Sequence, residues 1–222
     1  MLQRLLALLF PPKCILCRKL LTDKELDLCN RCRTSAPEYL KENFRLSFIA
    51  QWTAVWYYKD DVRGSLLRYK FYGRRNYAKS YGRILAMKIL RRFPSGFDIM
   101  TYVPTSRLRR MRRGFDHMEL VAKAVAQELD VPAYKVFIKV RNTPPQSGFS
   151  DASQRRANVM NVFQIKDRNL IQGKRVLILD DIITTGATIS ECAKTLLTSG
   201  AKEVYCAALA AASHDKKQVN KP

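Results

Sequence analysis

The run from Val176 to Thr188, VLILDDIITTGAT, constrains this chain more than any other stretch of it. Four aliphatic residues without alternation read as a strand covered on both faces, the pattern of a parallel sheet. Beyond the threonine-rich step, Ile189, Ala193, Leu196 and Leu197 recur at helical spacing, and Gly200 stands where a helix-ending glycine belongs. A strand, a polar loop and a helix in that order fold as one βα unit. The loop then lies at the carboxyl end of a strand, where open α/β sheets bind ligands. Its backbone N–H groups face outward at the positive end of the helix dipole, and the threonine hydroxyls add donors. A phosphate monoester suits that end. Asp180 and Asp181, one strand-end earlier, are acceptors for the vicinal hydroxyls of a ribose. The plainer alternative, a capped helix after a solvated turn, accounts for any three of these residues but not for the whole order.

Taken entire, the thirteen residues resemble the phosphoribosyl pyrophosphate (PRPP) motif of type I phosphoribosyltransferases. The resemblance implies an α/β fold with a mostly parallel sheet and flanking helices.

A second signature precedes it. Cys14-x-x-Cys17 and Cys29-x-x-Cys32 are separated by eleven residues, the arrangement of a four-thiolate zinc site. Two disulfides and a redox-active pair are the alternatives; no thioredoxin-like βαβ pattern surrounds either CxxC. Cys192 and Cys206 fall in a predicted helix and strand, as small core residues.

A zinc knuckle ahead of a basic phosphoribosyltransferase-like domain is similar to the ComF (ComFC) family of competence proteins. Further pieces that carry the likeness are Val103-Pro104-Thr105-Ser106 with Arg107, Arg112-Arg113-Gly114-Phe115-Asp116-His117, Arg141-Asn142-Thr143-Pro144-Pro145-Gln146 and Arg155-Arg156-Ala157-Asn158. The resemblance implies a role in natural transformation, handling incoming single-stranded DNA beside a helicase-like, ComFA-like partner in the cytoplasm. It also implies that Thr184, Thr185, Gly186, Ala187 and Thr188 hold the 5′-phosphate of PRPP and that Asp180 and Asp181 hold the ribose hydroxyls. Thr105, Ser106 and Arg107 would form the pyrophosphate loop. Mg²⁺ would arrive on PRPP oxygens and water rather than in a dedicated cage.

Charge supports a large anionic partner. The chain carries a formal +21 over 222 residues, and Lys59 to Arg113 holds sixteen Lys or Arg against three Asp. Tyr57, Tyr58, Tyr69, Phe71, Tyr72, Tyr77 and Tyr81 interleave with that charge. Lys70, Arg74, Arg75, Arg109, Arg110, Arg112 and Arg113 are therefore candidates for tracking a nucleic-acid backbone, with aromatic faces offered to unstacked bases. An acidic protein surface and anionic lipid are rival partners. Tyr77, Tyr81, Ile84 and Leu85 follow helical spacing, which assigns several of the tyrosines to the core.

The organisation reads as a leucine-rich helix and zinc knuckle over residues 1–45, then a phosphoribosyltransferase-like domain over 46–222 with a polar tail from 213. No segment reaches the roughly 18–20 apolar residues of a membrane span. Leu2, Leu5, Leu6 and Leu9 form one helical face, for packing or a peripheral membrane contact. Strand or hairpin material is expected at Ser47–Tyr58, and strands at Ile99–Val103, Val136–Val140, Val159–Ile165 and Glu203–Leu209. Helices are expected near Val62–Tyr69, Tyr77–Phe93 and Phe115–Leu129, and a functional loop over Arg141–Asn158. No acceptor-binding element is legible, and His117 reads as a structural or hydrogen-bonding residue. Two functions follow: a PRPP- and single-strand-binding accessory protein for DNA uptake, or an active phosphoribosyltransferase acting on an amine or base.

Overall fold

The computed structural model describes residues 11–40, 45–140 and 157–213. The leucine-rich opening, most of the loop expected over Arg141–Asn158 and all but the first residue of the polar tail fall outside them.

Four strands form one parallel sheet: β1 (Gln51–Tyr57), β2 (Ile99–Tyr102), β5 (Arg175–Ile183) and β6 (Glu203–Ala211), in the spatial order β1-β6-β5-β2. The apolar run at Val176–Leu179 sits at its centre, in register with Val204–Ala207 on one side and Ile99–Tyr102 on the other. Alternation sorts its side chains onto opposite faces. Leu177 and Leu179 join one core with Tyr205, Ala207 and Leu209. Val176 and Ile178 join the other with Val204, Cys206 and Ala208. Continuous hydrophobicity is thus required because both faces are covered. Residues 51–57 pair in parallel with β6 rather than folding into a hairpin.

The first core is closed by α2 (Asp60–Phe71), α3 (Tyr77–Arg92) and α5 (His117–Leu129). Tyr77 and Tyr81 are buried there, as their spacing predicts, and Tyr69, read among the aromatics offered to bases, is buried with them. Helices α3 and α5 pack so closely that a Cβ on Gly82 would stand 2.4 Å from the Ala124 Cβ. The second core is closed by α6 (Ala187–Thr198), where Ile189, Cys192, Ala193 and Leu196 are buried; Cys192 and Cys206 are core residues, as expected. A short helix α4 (Arg107–Arg113) buries none of its residues.

Two further strands, β3 (Phe137–Lys139) and β4 (Phe163–Ile165), pair antiparallel outside the main sheet. The strand expected over Val159–Ile165 is therefore shorter. Residues 157–159 are helical, and Asn161 turns the chain with φ 53° before β4 begins.

The cysteine segment carries a helix of its own, α1 (Asn30–Ser35), and lies against α2 and α3. Ser65 Oγ donates to the Ile15 carbonyl (2.5 Å), and Arg68 donates to the carbonyls of Ile15 (3.2 Å) and Leu16. Arg83 forks onto Asp27 through Nε (2.8 Å) and Nη2 (2.5 Å). Cys14, Ile15 and Leu16 belong to the same core cluster as α2 and α3. No helix among the described residues is long and apolar enough to cross a membrane.

Candidate functional site

β5 runs two residues past the aspartate pair, with Ile182 and Ile183 still in register with Ala210 and Ala211. Thr184 and Thr185 follow, and Gly186 caps α6 in the left-handed region at φ 75°. The position is reserved for glycine twice over, because a Cβ there would also meet Leu46 Cδ2 at 2.2 Å. Thr185 Oγ1 accepts from the Ala187 N–H (3.4 Å), and the first intrahelical bond runs from Ser190 N–H to the Gly186 carbonyl (2.9 Å). The N–H groups of Thr188 and Ile189 precede that bond and point out of the helix end.

A second loop reaches the same sheet edge. Val103 N–H donates to the Leu179 carbonyl (3.0 Å), which sets Thr105 beside the end of β5. Thr105 is held by Asp116, which accepts from its N–H (3.1 Å) and lies 3.0 Å from its Oγ1. Asp116 is buried and also caps α5, accepting from Met118 and Glu119 N–H. Ser106 is buried as the cap of α4, while Arg107 is exposed at the start of that helix.

The two loops are joined by one buried imidazole. His117 Nδ1 lies 2.7 Å from Arg113 Nη1 and 3.0 Å from Thr105 Oγ1. A guanidinium only donates, so Nδ1 accepts and the ring proton sits on Nε2. From there it is donated to Asp181 Oδ2. Lys70 Nζ, from α2, reaches the same oxygen at 2.7 Å. Asp181 is consequently not the open acceptor that its loop position predicts: its side chain is 14% exposed and doubly engaged.

This arrangement separates the two carboxyls. Burial opposes ionisation of Asp181, but Lys70 and His117 outweigh it and hold the group well below the usual carboxylate range. Asp180 feels Lys70 only as a weaker pull. Burial and the Asp181 charge push it up to about 8, and its Oδ1 accepts the Asp181 N–H (2.8 Å). Burial holds His117 below its ordinary value in spite of Asp181, so the imidazole is neutral. The pair therefore offers one ionised carboxylate and one protonated carboxyl, acceptor and donor side by side.

These groups open onto a cleft of about 1080 Å³. Thr105, His117, Asp180, Asp181, Thr184 and Thr188 line one side of it, and Arg63, Lys70, Arg109, Arg112, Arg113 and Lys139 bring positive charge. Lys139 belongs to β3 and stacks over Phe163 of β4 (5.9 Å); burial, with Arg109 nearby, pushes it down to about 8. Of the basic residues singled out in the sequence, Lys70, Arg109, Arg112 and Arg113 face the cleft. Arg75 instead packs on the Phe115 ring (4.7 Å) and bonds the Gly114 carbonyl, and Arg110 lines a separate depression beside Met111 and Glu119. Arg74 is exposed. Arg63 and Lys139 stand outside the sequence-based candidates, and Asp116 enters them only within the Arg112–His117 piece, with no role of its own. Only Asp116 carries a sequence signal, the Asp116-x-x-Glu119 capping pattern ahead of an apolar helix.

The four cysteines of the N-terminal segment converge as their spacing predicts. Their sulfurs lie within 4.8 Å of one another, with Cys17 Sγ 3.6 Å from Cys29 Sγ. Zn–S bonds of about 2.3 Å in a tetrahedron put the sulfurs ~3.8 Å apart, so the set fits zinc. Burial raises the Cys14 and Cys32 thiols. At Cys17 burial is outweighed by hydrogen bonds from the Lys19 N–H and the neighbouring thiols, which bring it to about 7.

Residues 119–222 match the phosphoribosyl transferase domain family, and residues 5–44 match the double zinc ribbon domain family. Competence protein F of Haemophilus influenzae is 36% identical over 50% of this chain and 48% of its own length. The DNA utilization protein YhgH of Escherichia coli is 29% identical over 80% of this chain and 76% of that one. Competence protein ComFC of Bacillus subtilis is 27% identical over 66% and 58%. The chain is a homologue of proteins named competence protein F, ComFC and YhgH. It thus spans about half the length of one of these relatives and three quarters of another. Its four-cysteine zinc-binding cluster lies within the second match, and of its parallel sheet with flanking helices the first match takes in β5, α6 and β6.

Proposed function

We propose that this ComF homologue binds Mg²⁺-PRPP and single-stranded DNA and serves DNA uptake in natural transformation, in the cytoplasm and beside a ComFA-like helicase partner. The observation that carries the reading is the pairing of Asp180 and Asp181 with Thr184 and Thr188, at the two ends of the helix-entry loop, inside a cleft bordered by six Lys or Arg. The 5′-phosphate takes the N–H groups at the start of α6, the ribose hydroxyls take the two carboxyls, and the diphosphate takes Thr105 and the arginines. Ser106 and Arg107 contribute through the fold of that loop, since neither lines the cleft. Mg²⁺ enters with the diphosphate. Calorimetric titration with Mg²⁺-PRPP tests the small-ligand half; absence of binding removes it. For DNA, log affinity should fall with log salt at about −0.7 per phosphate neutralised. An affinity indifferent to salt contradicts that half.

A second reading, phosphoribosyl transfer to an amine or base, draws on Lys139 and Phe163. They place a cation of lowered basicity and an aromatic edge on the cleft wall. PRPP-dependent pyrophosphate release with a panel of acceptors distinguishes it from binding alone.

A further inference from the structure

The cations that would hold a DNA strand are the cations that would hold PRPP. Lys70, Arg109, Arg112 and Arg113 open onto the same cleft as Asp180 and Thr188. Arg113 belongs to both ends of it. Its guanidinium lies 5.3 Å over the ring of Phe71, which is 67% exposed at the end of α2. The same guanidinium meets His117, which bonds Asp181. A single line of contacts therefore runs from an exposed aromatic at the rim to the carboxylate assigned to ribose. One set of arginines cannot neutralise a diphosphate and a strand phosphate at once, and two anions left a few ångströms apart repel.

We propose that Mg²⁺-PRPP and single-stranded DNA are alternative occupants of this cleft. Arg112 and Arg113 serve whichever anion is bound, and Phe71 seats a base of the strand. The inference rests on the reading that both ligands bind. It adds that each expels the other, by the same factor in both directions.

The test is fluorescence anisotropy of a labelled oligothymidylate of about 16 nucleotides, the upper end of a single-strand site. It is run at matched ionic strength with and without Mg²⁺-PRPP. With PRPP at ten times its own Kd, set by calorimetry, exclusive binding raises the DNA Kd about 11-fold. An unchanged or lower DNA Kd, with PRPP shown to be bound, overturns the exclusion and leaves both ligands standing. Failure of either ligand to bind alone overturns the earlier reading, and the exclusion with it. Asp180→Asn/Asp181→Asn should bind DNA at least as tightly as the native chain and ignore PRPP. A response that persists in it overturns competition within the cleft. Should that variant not fold, Asp180→Asn alone, with a PRPP affinity weakened about tenfold, must shift the concentration of PRPP that displaces DNA by the same factor. Phe71→Ala should weaken DNA about fivefold or more, the loss of one stacked base; equal affinity removes Phe71 from the seat.

Discussion

The zinc knuckle and the proposed sugar-phosphate pocket are both announced by short sequence signatures, yet they are built on opposite principles. The knuckle takes all four ligands from residues 14 to 32, and the sulfurs alone nearly complete it. The pocket takes its loop from one segment but the groups that engage its carboxylate from three others. Lys70 arrives on α2, Arg113 on α4 and His117 at the start of α5. A metal site is defined by its ligands, and a substrate site by the fold that assembles it. The two are also mechanically adjacent, because Ser65 and Arg68 grip the knuckle two turns or less before Lys70 enters the pocket.

The largest effect should come from the metal. Structural zinc is worth about 10–16 kcal/mol in isolated finger peptides, and here the ligand loop is part of the main core. Cys29→Ser, or chelation, should lower the melting temperature by about 10 °C or more, read by scanning calorimetry. A shift confined to proteolysis within residues 11–40, with the main transition unmoved, would break the mechanical link between the two regions.

Within the pocket, the two aspartates should respond differently. Asp181→Asn leaves Lys70 and His117 facing an amide in a largely enclosed site. It should cost about 3 kcal/mol in urea denaturation and weaken PRPP about 100-fold or more. Asp180→Asn mimics the protonated carboxyl, so at acid pH stability should move by less than about 1 kcal/mol, while near neutrality the variant should be the more stable chain, because only the native chain must take up a proton on folding. Their pH signatures are opposite. Asp181, held low, contributes stability present above the ordinary carboxylate range and lost as pH falls through it. Asp180, raised to about 8, binds a proton in the folded chain that the unfolded chain has released. Its contribution is complete below its unfolded value and is lost as pH rises toward about 8. Denaturation between mildly acidic pH and about pH 8 should show that decline in the native chain and not in Asp180→Asn.

This contrast also explains how far the sequence could be read. The parallel strand at Val176–Leu179 was legible because burial on both faces leaves a continuous apolar run. The knuckle was legible because its ligands are local. What could not be read was that Asp181 is closed over, since Lys70 and His117 meet it only after α2 and α5 have packed on the sheet. Likewise, nothing local distinguishes Arg113, which points inward, from Arg110, which does not. The tyrosines show the converse: Tyr77 and Tyr81 follow helical spacing and are core, and Tyr69 joins them only through packing, leaving Phe71 and Tyr72 as the exposed aromatics of that stretch.

Helix packing offers a smaller perturbation that separates assembly from chemistry. Gly82 lets α3 approach α5, the helix that opens with His117. Gly82→Ala forces that contact apart at an overpacking cost of about 1–3 kcal/mol. It should weaken PRPP binding by moving His117 while leaving the zinc content unchanged by metal analysis. Loss of zinc together with PRPP binding would mean that the helices support both sites equally.

The smallest effects lie in the ion pairs between the knuckle and the rest. Arg83 meets Asp27 with two nitrogens, and the Asp27 side chain is only 8% exposed. Arg31 meets Asp61 through one contact at 3.2 Å, with the side chains 69% and 53% exposed. Water competes for the second pair and hardly reaches the first. Arg83→Met should therefore cost about 1–2 kcal/mol, and Arg31→Ala nothing that urea denaturation resolves. Adding salt widens the difference, because screening weakens the exposed pair first. If instead both substitutions cost the same, the knuckle is held by the carbonyl bonds of Ser65 and Arg68 and by zinc, with the charges around it incidental.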